Sequence, residues 1–484
     1  MLSFQSIKEY HTLLINGQLT CVEAVSYYLE NISATLHLNA WLEVFEAEAR
    51  ERAERLDKER QSGARLGKLH GVIIGLKDVI CFKGHKVSAS SRILEGFTSV
   101  FNATATHRLI DEGAIIIGRQ NCDEFAMGSS NENSAFGPVK NALDEERVPG
   151  GSSGGSAVAV QTGNCMISLG SDTGGSVRQP ADFCGIVGFK PSYGAISRYG
   201  LIAYASSFDQ IGIFGKTVED VTLVLDVIAG PDEFDSTAYQ KPYSIVSDKE
   251  FTAQKYKICY FKDALEHAGL DYNISSEIKD FISTLKTAGH EVTAIDFELF
   301  NYIVPTYYVL TTAEASSNLS RYDGIKYGYR NKKKEFGLSE LYTLTRSQGF
   351  GPEVKRRILL GTFVLSEGYY DAYFSKAQKV RKLLVEKTQT IFNEFDAIIL
   401  PTVPAPAYKI GEKKDPVEIF LADIYTVYAN LVGIPAISLP LFKIAQGLPF
   451  GLQVMTSQHN EAFLLHLSKI FMQMKEQKMQ STGN

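Results

Sequence analysis

The sequence predicts an α/β fold in which one large domain has a central mixed β-sheet covered by helices on both faces. Short apolar runs bounded by glycine, typical of buried strands, alternate with amphipathic helical stretches. The 484 residues are 44% hydrophobic and 21% charged, which is ordinary for a globular protein with a sizeable core. No low-complexity linker or fixed-period repeat divides the chain, so a single domain is favoured over several.

Residues 1–65 are predicted to form a helical segment that packs on the core. Apolar side chains recur there at roughly helical spacing, namely at Leu14, Ile15, Val22, Val25, Tyr28 and Leu29. Thr20 and Glu23 have the spacing of a capping box, which marks a helix start. A second helix is predicted over residues 46–59, where charged residues dominate and one face is expected to contact solvent.

Residues 66–230 are predicted to form the core of the domain. Five short apolar runs are interpreted as buried strands, at residues 72–76, 114–117, 157–160, 166–169 and 186–187. An amphipathic helix is expected over residues 217–228. Thr217 is its predicted N-cap, Asp220 its third residue, and Gly230 lies just beyond its end.

Residues 231–484 are predicted to be the remainder of the same domain. Residues 231–301 are interpreted as an insertion or a cap, and residues 330–335 as a short charged loop. The later predictions are a long helix at 379–396, a strand at 396–400, two core strands at 433–440 and 448–455, and a closing helix at 461–474. The last ten residues are polar and are expected to fray.

Composition argues against several functional classes. The net charge of −6 disfavours a protein that grips nucleic acid over a broad face. No apolar run approaches the roughly 18–20 residues needed to span a bilayer, and no export signal is recognisable near Met1. The six cysteines are scattered, without C-x-x-C pairs or zinc-ligand spacing, which predicts free thiols in a reducing cytoplasm and no metal site.

The first of two loops rich in glycine and serine spans residues 148–156 (VPGGSSGGS). A flexible linker is disfavoured because an apolar run follows at once. A nucleotide-binding P-loop needs a lysine and a hydroxyl residue after the glycines, whereas Ala157 follows Ser156 here. The stretch also matches G-x-S-x-G at Ser152 and Ser153, the pattern of a hydrolase nucleophile elbow, but a run of this composition meets that pattern almost by default.

The second loop spans residues 170–176 (GSDTGGS). Its backbone amides at Gly174 and Gly175 can point into one concavity, which is how an oxyanion hole is built from main-chain donors. Asp172 and Arg178 lie close enough in sequence to pair and to hold the loop. The loop is therefore a candidate for part of a catalytic site.

A serine nucleophile at Ser176 needs a base. The downstream histidines lie in no distinctive loop, and Lys77 is the alternative because it sits inside the otherwise apolar run 71–80. Burial can remove the proton from a lysine near neutral pH. The competing interpretation is a strand-end lysine that pairs with Asp78 or reaches into solvent.

These residues together resemble the amidase signature family. The likeness rests on Lys77, on residues 149–156 (PGGSSGGS), 171–180 (SDTGGSVRQP) and 185–191 (GIVGFKP), and on their order and spacing. Residues 123–132 (DEFAMGSSNE) and 198–212 (RYGLIAYASSFDQIG) resemble, more narrowly, the glutamine-hydrolysing members of that family that serve tRNA-dependent glutamyl/aspartyl amidotransferases. The likeness runs from about residue 7 to residue 467.

The resemblance implies a mechanism that uses two serines and one lysine. Ser176 is expected to be the nucleophile and Lys77 the final base. Ser152 is expected to relay the proton between them and to follow an unusual cis peptide bond. The amides around Thr173, Gly174 and Gly175 are expected to hold the oxyanion, while Ser153, Asp172 and Arg178 support the loops.

The resemblance also implies how glutamine is recognised. Arg356, within residues 351–357 (GPEVKRR), is expected to bind the α-carboxylate, for which the planar guanidinium is well suited. Asp423 is expected to bind the α-ammonium group, and Ser129 is expected to contact the substrate. The exact arginine in the 355–357 cluster stays open.

The family likeness further implies partners, which the segment 231–484 would face. The expected assembly is a heterotrimer with a B subunit, which carries the kinase and transamidase activity, and a small C subunit. ATP and Mg²⁺ are expected on the B subunit, which would make most tRNA contacts, and no cofactor or metal is expected on this chain. A cytoplasmic location is expected.

Two rival functions stay open on the sequence. A stand-alone amidase would use the same triad on small amides but would not need both Arg356 and Asp423. A nucleotide- or RNA-binding module would use the glycine-rich loops and residues 330–334. Two departures from the family pattern are Asp182, where a small apolar residue is usual, and the pair Ala142 and Leu143, where proline and an aromatic residue are more usual.

Overall fold

The computed structural model describes residues 4–241, 251, 255–332, 337–413 and 422–482. Its strands form one mixed sheet of eleven, in the order β1-β3-β2-β4-β6-β5-β10-β11-β9-β7-β8. The strands are β1 Trp41–Val44, β2 Ile73–Lys77, β3 Ile115–Gln120, β4 Ile167–Asp172, β5 Val187–Lys190, β6 Gln210–Gly215, β7 Lys257–Phe261, β8 Glu291–Ile295, β9 Ala397–Pro401, β10 Ala436–Lys443 and β11 Pro449–Met455.

Fifteen α-helices lie in the described residues and surround this sheet. They are α1 Ile7–Ile15, α2 Cys21–Ala34, α3 Glu46–Gln61, α4 Thr104–Asp111, α5 Gly154–Gln161, α6 Arg178–Cys184, α7 Val218–Ile228, α8 Lys262–Leu265, α9 Tyr272–Thr287, α10 Ile303–Asn318, α11 Leu338–Gly349, α12 Pro352–Val364, α13 Lys376–Glu394, α14 Val427–Val432 and α15 Glu461–Thr482. The predicted α/β class with a central mixed sheet is confirmed.

Sequence signals predicted the starts of two helices, α2 and α7, correctly. Thr20 accepts the Glu23 N–H while the Glu23 carboxylate accepts the Thr20 N–H, so the predicted capping box is confirmed. Thr217 accepts the Asp220 N–H at the start of α7, as expected. A side-chain oxygen at these positions satisfies an N–H group that the helix itself leaves without an acceptor.

The predicted strand at residues 157–160 is wrong, because these residues lie in helix α5. Every residue from Gly154 to Val160 is fully buried. A helix that is buried on all sides shows the same short apolar run as a buried strand, so periodicity could not separate the two. The helix connects the first glycine- and serine-rich loop to β4.

The structure settles the stretch 231–301, which the sequence left open, and corrects the predictions for the N-terminal and C-terminal segments. Residues 231–301, an insertion or a cap on the sequence alone, supply β7 and β8, which extend one side of the sheet through β9. The N-terminal segment is not only helical, since β1 pairs with β3 at the opposite edge. Helix α15 continues to Thr482, so residues 475–482 are helical where the sequence predicted fraying. Part of the predicted loop at 330–335 lies outside the described residues.

Sheet topology brings the two glycine-rich loops to one place. Strands β2 and β4 are parallel neighbours, with Leu76 paired to Leu169, although about 90 residues separate them. The carboxyl ends of parallel neighbours meet at the same edge of a sheet, so Lys77 at the end of β2 lies beside the loop that follows β4. The predicted boundaries at 65 and 230 stay predictions.

Candidate active site

Lys77 places its amine in a buried cluster of hydroxyl groups. The Nζ atom donates to Ser152 Oγ at 2.7 Å, to Ser153 Oγ at 2.8 Å and to Ser171 Oγ at 2.9 Å. The Lys77 side chain has no exposed surface. This arrangement brings together Lys77 and Ser152, two members of the predicted triad, with Ser153, which was predicted to support the loop, and Ser171, which the sequence analysis did not single out.

Burial, and not the charges nearby, favours loss of the Lys77 proton, since Asp123, Asp172 and Asp209 favour the charged amine. Asp78, the alternative partner, accepts instead from Arg119 at 2.6 Å and from Ser88, and Lys77 has no ion pair within the described residues. Burial lowers the pKa of the Lys77 ammonium from 10.5 to about 8. At pH 7 roughly a tenth of such an amine is neutral and can accept a proton.

The loop that carries Ser152 and Ser153 has little room for side chains. The Gly151–Ser152 peptide bond is cis, as the family resemblance implied. A Cβ on Gly151 would lie 2.2 Å from Asp123 Oδ2, so no larger residue fits at this position. The Asp123 backbone N–H donates to the Ser152 carbonyl at 3.0 Å, and the Gly151 N–H donates to the Ser129 carbonyl at 2.9 Å. These contacts fix the loop against residues 123–132.

The loop after β4 is held by the Asp172 carboxylate. It accepts from the Gly175 N–H at 2.8 Å and from the Val177 N–H at 3.1 Å, and it forms a fully buried ion pair with Arg178 at 2.9 Å. Burial alone would raise the pKa of Asp172, but the Arg178 guanidinium holds it well below its usual range. The predicted pair therefore exists, and it fixes the backbone of the loop.

This contact limits which amides can bind an oxyanion. The Gly175 N–H, one of the expected donors, already has Asp172 as its acceptor. The N–H groups of Thr173, Gly174 and Ser176 donate to no acceptor in the described part of the chain. These three are therefore the donors that stay available to a substrate.

Ser176, beside the cluster, is more accessible to a substrate than Ser152 and Ser153. Its exposed fraction is 8%, whereas Ser152 and Ser153 have none. The Ser176 carbonyl accepts from the Ser153 N–H at 3.3 Å, so the two glycine-rich loops are in direct contact. Among the described residues no hydrogen bond joins the Ser176 hydroxyl to Ser152 or Lys77, so the two loops are in contact but the proton relay between these groups stays a prediction.

The structure favours Arg357 over the predicted Arg356 as the substrate-binding arginine. The Arg356 side chain is 48% exposed and pairs with Glu353. One residue later on α12, the side chain of Arg357 is 4% exposed, and its guanidinium lies over the rings of Tyr204 and Tyr308. Neighbouring residues on a helix point about 100° apart, so an error of one position exchanges a buried arginine for a solvent-facing one.

Asp423 lies in the same buried site as Arg357. Its carboxylate accepts from Ser129 Oγ at 2.9 Å and from the Tyr308 hydroxyl at 2.7 Å. Burial raises the pKa of Asp423 to about 6, which leaves the carboxylate mostly charged at neutral pH. Tyr308 thus touches both the buried anion and, through its ring, the buried cation.

A short chain of contacts joins this ionic site to the loop after β4. Thr426 Oγ1 donates to the Gly174 carbonyl at 2.7 Å, and the Thr426 N–H donates to the Asp423 carbonyl at 3.1 Å. A Cβ on Gly175, whose φ is +125°, would lie 2.3 Å from Thr426 Oγ1. The predicted residues Ser129, Ser152, Ser176 and Asp423 therefore belong to one continuous site.

Sequence reasoning missed several residues of this site, namely Ser171, Tyr204, Asp209 and Tyr308, and it left Arg357 only as an alternative to Arg356. Ser171, Tyr204 and Asp209 lie in motifs that carried the family resemblance, so the signal for them was present. Nothing local marks Tyr308, which lies on an ordinary helix, α10.

The described residues contain no group of three or more His, Cys, Asp or Glu side chains arranged to hold a metal ion. No helix among them is both long and apolar enough to cross a membrane. All six cysteines are buried and free, as predicted.

Comparison with known proteins gives consistent likenesses. The amidase family model matches residues 23–465. The A subunit of the glutamyl-tRNA(Gln) amidotransferase of Chlorobaculum parvum is 46% identical over 97% of this chain and 98% of its own length. The protein of the same name from Koribacter versatilis is 48% identical over 92% of this chain and 93% of its own.

A solved structure extends the likeness to three dimensions. The crystal structure of the A subunit of the glutamyl-tRNA(Gln) amidotransferase from Thermotoga maritima superposes with a TM-score of 0.76 at 38% identity. The match covers 96% of this chain and 94% of that one. With the family model matched over most of its length and relatives this similar end to end, the chain belongs to the amidase family.

Proposed function

We propose that this chain is the glutamine-hydrolysing A subunit of a glutamyl-tRNA(Gln) amidotransferase. The observation that carries the proposal is a buried ionic site of opposite charges, Arg357 and Asp423, next to the lysine and serine cluster. An α-amino acid offers a carboxylate and an ammonium group to such a site. The nearly full-length likeness to proteins of that name supports the same conclusion.

The first half of the reaction forms an acyl-enzyme. Ser176 Oγ attacks the side-chain amide of glutamine, and its proton passes to Ser152 while Ser152 gives its own proton to neutral Lys77. The N–H groups of Thr173, Gly174 and Ser176 stabilise the negative charge that develops on the amide oxygen. Lys77 then returns the proton through Ser152 to the leaving nitrogen, and ammonia departs.

The second half releases glutamate. Water attacks the ester on Ser176 Oγ, and the same relay removes its proton. The ester bond breaks and Ser176 regains its proton. Glutamate, whose α-carboxylate is held by Arg357 until this point, then leaves the site. Each cycle therefore consumes one glutamine and one water and yields one glutamate and one ammonia.

The partners and cofactors are part of the proposal. The relatives are named as subunits, which implies at least one further chain. We expect a B subunit that binds ATP and Mg²⁺ and amidates the tRNA, with a small C subunit beside it. No cofactor is needed for the relay through Lys77. We also propose a cytoplasmic location, because the six cysteines of the chain are buried and free of disulfides, as is usual in a reducing compartment.

The experiment is reconstitution with the cognate B and C subunits of the source organism. The complex should convert glutamyl-tRNA(Gln) to glutaminyl-tRNA(Gln) with glutamine and ATP, and aspartyl-tRNA(Asn) should be tested in parallel to define the acceptor. The complex should also hydrolyse glutamine to glutamate. Turnover of simple aryl or fatty amides by this chain alone, with no amidation of either tRNA by the complex, would favour a stand-alone amidase instead.

A further inference from the structure

We propose that the Tyr204 hydroxyl is a positioning group that sets the Arg357 guanidinium for the α-carboxylate of glutamine and so contributes to substrate selection. The inference rests on the proposed function, since it concerns the same site. Tyr204 follows β5 and precedes β6, and no more than 1% of it is exposed. Arg357 lies on α12, more than 150 residues away in sequence.

The contact between the two side chains is direct. Arg357 Nη1 donates to the Tyr204 hydroxyl oxygen at 2.8 Å, and the guanidinium carbon lies 5.4 Å from the centre of the Tyr204 ring. Arg357 Nε donates to Glu353 Oε1 at 2.8 Å. Nη2 donates to no group in the described part of the chain and Nη1 has a second N–H, so one N–H on each of these two nitrogens is left for a substrate carboxylate.

These contacts define one orientation of the guanidinium. Glu353 alone, bonded at Nε, would allow the planar group to tilt, whereas a second bond at Nη1 fixes its plane. A fixed plane matters because a carboxylate is bound best by two parallel N–H groups of one guanidinium. The Tyr204 hydroxyl therefore holds the Arg357 side chain in one orientation before substrate binds. Without it, the side chain would lose that freedom on binding, which would cost affinity.

Tyr204 itself is anchored next to the reacting loop. Its backbone N–H donates to Asp209 Oδ2 at 2.9 Å, and Asp209 Oδ1 accepts from Thr173 Oγ1 at 2.7 Å. Thr173 is one of the proposed oxyanion donors. The buried Asp209 carboxylate thus fixes Tyr204 relative to the loop that carries Ser176. The group that orients Arg357 and the loop that attacks the amide are therefore held by the same side chain.

The test is Tyr204→Phe in the full amidotransferase complex. Phenylalanine keeps the ring over Arg357 and the backbone bonds to Asp209, and it removes only the hydroxyl. We expect KM for glutamine to rise about tenfold, the loss typical of one hydrogen bond to a charged group, with kcat changed less than about twofold. Tyr428→Phe is the matched control, because its equally buried hydroxyl bonds to Thr388 on α13 instead.

Two truncated glutamines separate positioning from general damage. Glutaric acid monoamide lacks the α-amino group, and its inhibition constant should rise about tenfold along with KM. The compound 4-aminobutanamide lacks the α-carboxylate, and its inhibition constant should stay within about twofold. Adding Tyr204→Phe to Arg357→Gln should have no further effect on KM for glutamine, because the Tyr204 hydroxyl, which also bonds to Thr311, is proposed to affect the substrate through that arginine.

The possible outcomes are distinct. Equal weakening of all three ligands, or of none, in the Tyr204→Phe complex would overturn the positioning role while the proposed function stands. A wild-type complex that binds 4-aminobutanamide as tightly as glutamine would overturn the proposed function itself, and this inference with it. A melting temperature close to wild type checks that the variant is folded.

Discussion

The lysine and serine cluster and the Arg357–Asp423 site are held in place in different ways. The cluster is built on main chain: Lys77 ends β2, and Ser171 lies at the end of β4, its parallel neighbour. The ionic site is built on side chains from distant segments, with Ser129, Tyr308 and Asp423 joined by hydroxyl–carboxylate contacts. The positions of Lys77 and Ser171 are thus set by strand pairing. The positions of Ser129, Tyr308 and Asp423 depend on side-chain contacts that one substitution can remove.

The largest expected effect lies in the main-chain cluster. Ser176→Ala should lower glutamine hydrolysis by about 10⁴-fold or more, because Ser152 and Ser153, the serines that contact Lys77 in the first loop, are fully buried and cannot replace it. Lys77→Met should be nearly as damaging, and the double variant should be no worse than the worse single one. The measurement is glutamate release by the complex, with circular dichroism to verify folding. Substantial activity of Ser176→Ala would remove this serine from the nucleophile role.

The next effect separates two neighbouring arginines in the ionic site. Arg357→Gln should raise KM for glutamine by about 30- to 100-fold if, as proposed, its buried charge pairs with the substrate carboxylate. Arg356→Gln is the matched control on the same helix turn and should change KM less than about twofold, because its side chain faces solvent. Steady-state kinetics decides the question, and the reverse pattern would restore Arg356 as the substrate ligand.

The pH dependence of kcat should report on Lys77 in the cluster, and the pH dependence of KM should report on Asp423 in the ionic site. Lys77 must be neutral to accept a proton, so kcat should rise with pH through a value near 8. Asp423 must be charged to bind an ammonium group, so KM should rise as the pH falls below about 6. Initial rates between about pH 5 and 9 resolve both limbs. A kcat that does not change over the upper half of that range would contradict the role of Lys77.

The smallest effect concerns a buried carboxyl that has no cation beside it. Asp182 accepts from the Gly451 N–H at 2.6 Å but has no ion pair among the described residues, and burial raises its pKa to about 7. The unfolded chain releases this proton near pH 4, so the free energy of unfolding falls as the pH rises from about 4 to 7.

Asp182→Asn should therefore raise the melting temperature by about 2 °C at about pH 8 and have little effect at about pH 4. Asp172→Asn is the contrasting variant, because Arg178 stabilises the charged form of Asp172, and it should lower the melting temperature at both pH values. Differential scanning calorimetry measures both. Equal shifts for Asp182→Asn at the two pH values would contradict its raised pKa.

The same division explains what the sequence could predict. Lys77, Ser152 and Ser176 lie in short motifs with unusual composition, so local patterns marked them as candidates, and the family resemblance supplied the roles predicted for them. The error at Arg356 arose because α12 carries three consecutive basic residues and only packing against α10 decides which one is buried. The error at residues 157–160 has a related cause, since burial on all sides erases the periodicity that distinguishes helix from strand.

Lys77 occupies the last position of β2, and this has a consequence for how the protein could be followed as it folds. Side chains alternate between the two faces of a strand, so a shift of one residue in the pairing of β2 with β4 would carry the amine to the wrong side of the sheet. Return of glutamine turnover during refolding would therefore report that these central strands have aligned. The single tryptophan, Trp41 on the edge strand β1, packs against Gly118 on β3 and Gly75 on β2, so its fluorescence would report on that side of the sheet rather than on the pairing of β2 with β4.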